Sequence, residues 1–407
     1  MKRRNFLQKA SLIAGGLLVP VGVNSWALKS LAGESSRQKL IVIFLRGAID
    51  GLSLVVPHQE TKYYEARPTI AVPYPQEEEG AIDLDGYFGL HPDLADLLPY
   101  WKNKTLAFIH ACGLNLDTRS HFDAQDYCES GTPGVKNTND GWMNRLLATL
   151  PQQQPKPTQA LNIGVRIPRI LEGKMPVANL PQGKNSTKPI PLDNPEIYTA
   201  FDSLYSNSDP LALAYQEGRQ AREIIMSQFS SEMESASRGA PASDNFSNDA
   251  RDIAKLMQGD AQTQLAFMDF GGWDSHVNQK ELLNRYLKPL GRGLATLVQE
   301  LQPIYRNTAI VVMSEFGRTV KENGNRGTDH GHANVMWVLG GGIKGGKVYG
   351  NWPTLEESKL FEGRDLAVTT DFREPIASIL IQHMHIEPPL ISRIFPGYQP
   401  KNSIQLV

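Results

Sequence analysis

Residues 308–350, TAIVVMSEFGRTVKENGNRGTDHGHANVMWVLGGGIKGGKVYG, decide how the rest of the chain is read. Ala309 to Met313 is a short apolar run with the length and β-branched content of a buried parallel strand. A polar loop carrying Ser314, Glu315 and Arg318 follows at once. Asp329, His330 and His332 then fall within four positions, just ahead of a second apolar run, Asn334 to Leu339. Open α/β sheets place their sites in the crevice at the ends of buried strands. Carboxylates and imidazoles gathered there are metal-ligand types. The stretch reads as half of a metal site.

Three other stretches supply a matching half. Lys39 to Leu45 (KLIVIFL) is a buried-strand pattern that runs into Arg46-Gly47-Ala48-Ile49-Asp50-Gly51. Asp50, framed by glycines at the strand tip, is placed to hold a cation, although an Asp beside Gly is equally a common turn. A strand over Thr105 to Ala111 leads to Asp117-Thr118-Arg119-Ser120-His121-Phe122-Asp123-Ala124-Gln125-Asp126. A helix capped by Asp or Ser accounts for two of those polar residues and leaves the others unexplained. A strand over Leu265 to Phe270 leads to Gly271-Gly272-Trp273-Asp274-Ser275-His276. Oxygen and imidazole donors on four strand tips point to one convergent site. Without cysteine among them, the donors suit Zn or Mn, or Mg or Ca where carboxylates dominate, as one or two ions. Arg46, Arg119, Arg318, Lys321 and Arg326 lie in the same loops and point to an anionic substrate. At least half of them are expected to pair with the carboxylates instead.

The chain has 407 residues, 41% hydrophobic and 21% charged, which suits one large α/β domain or two smaller ones. A net charge of −2 with 8% aromatics gives no footprint for nucleic acid. Residues 57–90 read as a long surface loop, and Pro92 to Trp101 as a helix with Pro in its first turn. From residue 150 to 261 the composition changes, beginning with PQQQPKPTQ, and the segment is expected to be an insertion or cap. It contains a strand pattern at Leu161–Val165 and helical patterns near Glu196–Leu204 and Ala212–Met233. Leucines from Leu282 to Leu301 recur at helical spacing, with Pro289 expected to kink or split that helix. Thr370 or Asp371 is expected to cap a last helix running to about His383. Cys112 and Cys128 are consistent with a bridge or with two core thiols.

Residues 1–32 hold Lys2, Arg3, Arg4, Lys9 and Lys29 and no acid, so removing them takes the net charge from −2 to −7. Arg3-Arg4 stands before Phe6-Leu7, followed by a weakly apolar run from Ala10 to Val23 and small residues at Ser25/Ala27 and Ser30/Ala32. This resembles a twin-arginine export signal. The run is shorter than the ~20 residues of a membrane span and contains Pro20, so no stable span is expected. The resemblance implies passage through the twin-arginine translocase to a periplasmic or extracellular location, with residues 36–407 as the mature domain.

The set RGAIDG, RSHFDAQD, GGWDSH, SEFGR, GTDHGHAN and LGGG, behind that signal, resembles the domain-of-unknown-function family fifteen-oh-one. That family is similar to a distant branch of the alkaline phosphatase and sulfatase superfamily. The resemblance implies an α/β fold: an alkaline-phosphatase-like three-layer αβα sandwich around a largely parallel sheet, with an inserted cap-like segment. Carried over residue by residue, Asp50 would bind one metal together with the nucleophile. Asp274, His276 and His332 would bind the other, and Glu315 would stand where the superfamily has Asp. The nucleophile would be Ser120 or Thr118, with Ser120 slightly preferred. Phe316 occupies the place of a usual ligand histidine, so the second metal would be absent or completed by His121 or His330.

The implied activity is hydrolysis of a small-molecule or polymeric phosphate or sulfate ester by an exported, metal-dependent enzyme with a Ser or Thr nucleophile. Arg119 or Arg318, with Arg46 nearby, would hold the anionic oxygens. The competing expectation is a non-catalytic exported binding or assembly protein that keeps the fold and one structural metal. Export has a direct test. Replacing Arg3 and Arg4 by Lys should leave unprocessed precursor in the cytoplasm on fractionation, and normal processing of the double variant would remove the signal assignment.

Overall fold

The computed structural model describes residues 37–151, 156–164, 166–180, 195–206, 209–220, 245–260, 262–401 and 404–407. The proposed export signal lies outside the described residues. Residues 38–407 form one compact unit.

The strands are β1 (Lys39–Leu45), β2 (Val55–Val56), β3 (Ile82–Asp83), β4 (Gly89–Leu90), β5 (Leu106–Gly113), β6 (Ala160–Ile163), β7 (Ala178–Leu180), β8 (Leu265–Phe270), β9 (Thr308–Met313), β10 (Asn334–Gly340), β11 (Lys347–Tyr349) and β12 (Thr370–Asp371). The principal helices are α1 (His121–Ser130), α2 (Trp142–Thr149), α3 (Pro195–Leu204), α4 (Asn245–Gly259), α5 (Gln279–Glu300) and α6 (Arg373–Gln382). The main sheet runs β11-β5-β10-β9-β1-β8-β6-β7, with β12 also on β5. Its pairings are parallel except those of β10, which is antiparallel to both β5 and β9.

Strand alternation sorts the core into two layers. In β1, Ile41, Ile43 and Leu45 face one core with Leu283, Leu287, Leu290 and Leu294 of α5 and Ile253 and Met257 of α4. Leu40, Val42 and Phe44 face the other, with Tyr127 of α1, Leu146 of α2 and Ile376 and Leu380 of α6. The fold is therefore a three-layer αβα sandwich. Each fully buried Leu or Ile contributes about 1.5–3 kcal/mol, so the two helical layers dominate the stability.

Several sequence expectations change here. Residues 57–90, read as loop, include β3 and β4, which form a small antiparallel sheet with β2 just ahead of them. The segment expected as an insertion or cap adds β6 and β7 to the main sheet beside β8. The helix with Pro289 stays whole over 22 residues. An interior proline costs about 3 kcal/mol or more, and the buried stripe of leucines on both sides offsets it. Residues 370–371 form β12, pairing with Cys112 and Gly113, and Asp371 Oδ1 also accepts from Arg373 N at 2.9 Å at the start of α6, as expected of a cap. Cys112 and Cys128 are buried free thiols.

The antiparallel β10 matters most for what gathers at the sheet edge. The C-terminal ends of β1, β5, β8 and β9 share one edge, and reversal of β10 places its N-terminal end there too. The residues just before Asn334 thus reach the same crevice as the loops after the parallel strands.

Asp50 lies at this edge but is not free. It is 1% exposed, and its carboxylate accepts hydrogen bonds from Arg67 Nη1 at 2.5 Å and Nη2 at 3.0 Å, Ser53 Oγ at 2.6 Å and Gln279 Nε2 at 2.7 Å. Arg67, fully buried, also donates to the carbonyls of Val320 and Thr319. Burial pushes the Asp50 carboxyl up, and the Arg67 guanidinium overrides that and holds it below the usual carboxylate range. The expected metal ligand is instead half of a buried ion pair. Asp50→Ala should lower the unfolding free energy by roughly 3–5 kcal/mol, because Arg67 is left as an uncompensated buried charge. Metal per chain, measured by elemental analysis beside a denaturant titration, should not change.

His110 sits where β5 carries an extra residue relative to β10. Its Nε2 donates to Val55 O at 2.9 Å and its Nδ1 accepts from Ala111 N at 3.1 Å, which is a neutral ring. Burial pushes its pKa down to about 4. The unfolded chain binds this proton from about pH 6.5 downward and the native chain does not until about 4, so stability falls as pH drops through that window. At about 1.4 kcal/mol per pKa unit the loss is on the order of 3 kcal/mol. Denaturant titrations from pH 7 to 4 should show that slope, reduced in His110→Gln.

Candidate metal centre

The site is built from four segments at the edge just described. Ser120 caps α1, its Oγ accepting from Asp123 N at 3.3 Å, so the chain turns into the helix with His121 as its first residue. The β8 loop brings Asp274 and His276. The turn after β9 carries Arg318, whose backbone bridges that of His330 in antiparallel fashion.

These segments converge three imidazoles and one carboxylate. His330 Nε2 lies 3.0 Å from His121 Nε2 and 3.0 Å from His276 Nε2. Asp274 Oδ1 is 3.1 Å from His276 Nε2 and 3.3 Å from His330 Nε2, and its Oδ2 is 3.7 Å from His121 Nε2. The donor atoms of His121, Asp274 and His330 all lie within 4.8 Å of one another. Ligands of one ion at about 2.0–2.2 Å sit on the order of 3–3.5 Å apart, so the spacing suits a single cation.

The other face of each ring decides its protonation. His121 Nδ1 faces Glu315 Oε1 at 2.9 Å, His276 Nδ1 faces Asp329 Oδ1 at 3.0 Å, and His330 Nδ1 faces the Arg119 carbonyl at 2.8 Å. A carboxylate or carbonyl only accepts, so each Nδ1 carries a proton, and a ring in its neutral form turns its Nε2 lone pair inward. Lone pairs at 3.0 Å repel unless a positive charge sits among them. This is the arrangement in which outer partners orient metal-binding histidines.

The two rings are driven in opposite directions: the hydrogen bond to Glu315 raises the His121 pKa and favours its charged form, while burial lowers that of His330 and favours its neutral form. Burial pushes the Asp274 carboxyl up, but the hydrogen bond and charge of Arg318 hold it below its usual value, and it stays anionic. Phe316 is buried beneath the rings, 4.9 Å from His121 and 5.2 Å from His330 between centroids.

Other expected site residues stand elsewhere. Glu315 is fully buried behind His121 and is not among the converging donors. Its Oε1 also accepts from Gly47 N at 2.9 Å and Gln125 Nε2 at 2.8 Å. His332, expected beside Asp274, is buried against Phe361 with ring centroids 4.2 Å apart and lies outside the group. The arginines expected to bind substrate are occupied. Arg46 pairs with Glu129 and Asp269, and Arg318 with Asp274. Arg119 pairs with Asp117, Glu362 and Asp365. Ser120 is exposed and serves as the helix cap, and Thr118 Oγ1 accepts from Ser120 N at 3.4 Å.

The sequence reading missed Gln125, Gln279 and Thr328. Gln125 Oε1 accepts from Arg46 Nη1 at 2.9 Å while its amide donates to Glu315, joining the two. Gln279 accepts from Thr328 Oγ1 at 2.5 Å and donates to Asp50, and Thr328 takes both Nε and Nη2 of Arg318. Only Gln125 carried a signal in the sequence, one helical turn after His121.

No curated protein matches the chain. Among solved structures it is similar to the C-terminal periplasmic domain of EcEptC from Escherichia coli in complex with Zn, with a TM-score of 0.39 and 10% identity over 92% of this chain and 94% of that one. It is also similar to a protein in the alkaline phosphatase superfamily from Vibrio parahaemolyticus, with a TM-score of 0.38 and 10% identity over 87% and 68%. Alkaline phosphatase from the Antarctic bacterium TAB5 gives a TM-score of 0.34 and 9% identity over 76% and 93%. Residues 110–394, which contain the helix of His121, the Asp274–His276 loop and the Arg318–His330 turn, match one family along their whole length, and the chain belongs to that family, described as protein of unknown function (DUF1501).

Proposed function

We propose that the protein is an exported metal-dependent hydrolase of phosphate or sulfate esters, with His121, Asp274, His276 and His330 around a single divalent ion. One observation carries the reading: His330 Nε2 lies 3.0 Å from the Nε2 of both His121 and His276, and the Asp274 carboxylate lies 3.1–3.7 Å from all three rings, whose outer nitrogens are tied to acceptors. Three imidazoles and one carboxylate favour Zn or Mn over Mg or Ca. The burial of Asp50, Glu315 and His332 in other contacts favours one ion over two.

A divalent ion bound there supplies Lewis-acid polarisation of an ester oxygen and lowers the pKa of a nearby hydroxyl or water. The chain's own groups do the rest. Glu315, Asp329 and the Arg119 carbonyl hold the Nδ1 protons and keep the rings oriented. Phe316 keeps the inner face apolar, which strengthens electrostatic interactions above it. Ser120 is assigned as the attacking hydroxyl because it is exposed and directly precedes His121. Its Oγ forms the bond to phosphorus or sulfur while the ester alcohol leaves, and water then cleaves the Ser120 ester.

A second reading keeps the metal and omits the chemistry. Occupation of Ser120 as a helix cap and of Arg46, Arg119 and Arg318 in internal ion pairs favours a binding or assembly protein. The two separate experimentally. Purified protein should carry about one Zn or Mn per chain, and His330→Ala and His121→Ala should each remove it with the circular dichroism spectrum retained. Ser120→Ala should keep the metal and abolish turnover of phosphate and sulfate esters. Metal retained in both histidine variants sinks the site, and metal without turnover in the unaltered chain leaves the binding reading.

A further inference from the structure

The charges around the proposed metal are more acidic than an oxyanion site requires. Six carboxylates lie within one contact of the four donors or of the residues that anchor them. Asp274 is a donor, Glu315 and Asp329 hold the rings, and Asp117, Glu362 and Asp365 pair with Arg119 beside His330. Three guanidiniums oppose them: Arg318 on Asp274, Arg119, and Arg364, which donates to His330 O at 2.8 Å and to Asp365 at 2.9 Å. Lys321 and Arg326 stand exposed on the neighbouring turn and enter none of these contacts. One divalent ion brings this group of charges only to one negative.

The placement of the charges matters as much as their number. Arg318 is fully buried and donates to Asp274 and Thr328, so it cannot turn to a bound ligand without breaking those bonds. Arg119 spends both Nη atoms on carboxylates. Asp117, Glu362 and Asp329 are each more than half exposed, so their fields extend over the mouth. Superposed on the metal's attraction is a repulsion that scales with the ligand's charge.

Resting on the metal-centre reading above, we infer that this site selects esters bearing a single negative charge, phosphate diesters or sulfate monoesters, and discriminates against the dianionic phosphate monoester. A phosphate monoester needs cations free to meet its second charge, and the three guanidiniums in contact with the donors or their anchors are engaged by the protein's own carboxylates. A diester or a sulfate monoester presents one charge, which the ion alone can meet.

The test uses full-length mature protein loaded with Co²⁺, whose visible absorption reports ligands without turnover. Methanesulfonate, with one charge, should perturb the spectrum at lower concentration than sulfate, with two, at pH 8 and low salt. In Zn-loaded protein, KM for bis(p-nitrophenyl) phosphate and p-nitrophenyl sulfate should lie below that for p-nitrophenyl phosphate. The rim variant Asp117→Asn/Glu362→Gln should lower KM for the monoester by about two- to fivefold, leave KM for the diester nearly unchanged, and lose its effect at high salt, as screened exposed charges must. Tighter binding of sulfate than methanesulfonate, or a rim variant that moves both esters equally, overturns the inference. No turnover of any ester with the monoanion preference intact would overturn the hydrolase reading and leave the charge selection standing. Failure to bind Co²⁺ at all would end both.

Discussion

The carboxylate of Glu315 is the point on which the site depends. It is fully buried, and an isolated buried anion is too costly to persist. Its Oε1 therefore collects Gly47 N from the turn after β1, His121 Nδ1 and Gln125 Nε2 from α1, and Oε2 accepts Ser314 Oγ. Burial would raise its pKa, and the hydrogen bonds from His121 and Gln125 hold it down. Satisfying this one anion brings the β1 turn and α1 onto the end of β9. Gly47 is required for the approach: its φ is +113°, and a Cβ there would lie 2.8 Å from Asp274 N. The same turn thus seats Asp274 against the helix that carries His121.

Behind the donors lie two chains of buried polar contacts, each ending on a different donor. Glu129, Arg46, Gln125 and Glu315 lead to His121. Arg67, Asp50, Gln279, Thr328 and Arg318 lead to Asp274. Buried ion pairs contribute little net stability against an apolar replacement but are costly to break. Here they fix the rotamers of the groups at the end of each chain. Arginines that look like anion binders in the sequence are paired with carboxylates in the structure.

His330 is held from three directions. Its Nδ1 reaches the Arg119 carbonyl, its own carbonyl takes Arg364 Nη2, and its backbone bridges Arg318. His332, two residues on, is turned to Phe361, with Asp365 and Arg119 nearby. The surrounding packing, more than the residue type, separates a histidine with an oriented lone pair from one that only fills space.

The sequence by itself determined the sheet strands and the kinds of side chain gathered beyond them. Lys39–Leu45, Leu265–Phe270, Thr308–Met313 and Asn334–Gly340 are fully or largely buried strands, and runs of β-branched and apolar residues of that length have few other stable fates. The clustering of carboxylates and imidazoles beyond those runs was also visible, because such groups are costly beside a core without a partner. The tertiary structure decided which of them meet. An apolar run reads the same in either direction, so only the pairing shows that β10 is antiparallel and offers its N-terminal end to the site. Asp50 went to Arg67, Glu315 went behind His121, and His332 went to Phe361, each through a partner that no local spacing reveals. A carboxylate binds the nearest donor that burial permits, and nearness is set here by segments from 17 to 194 residues apart.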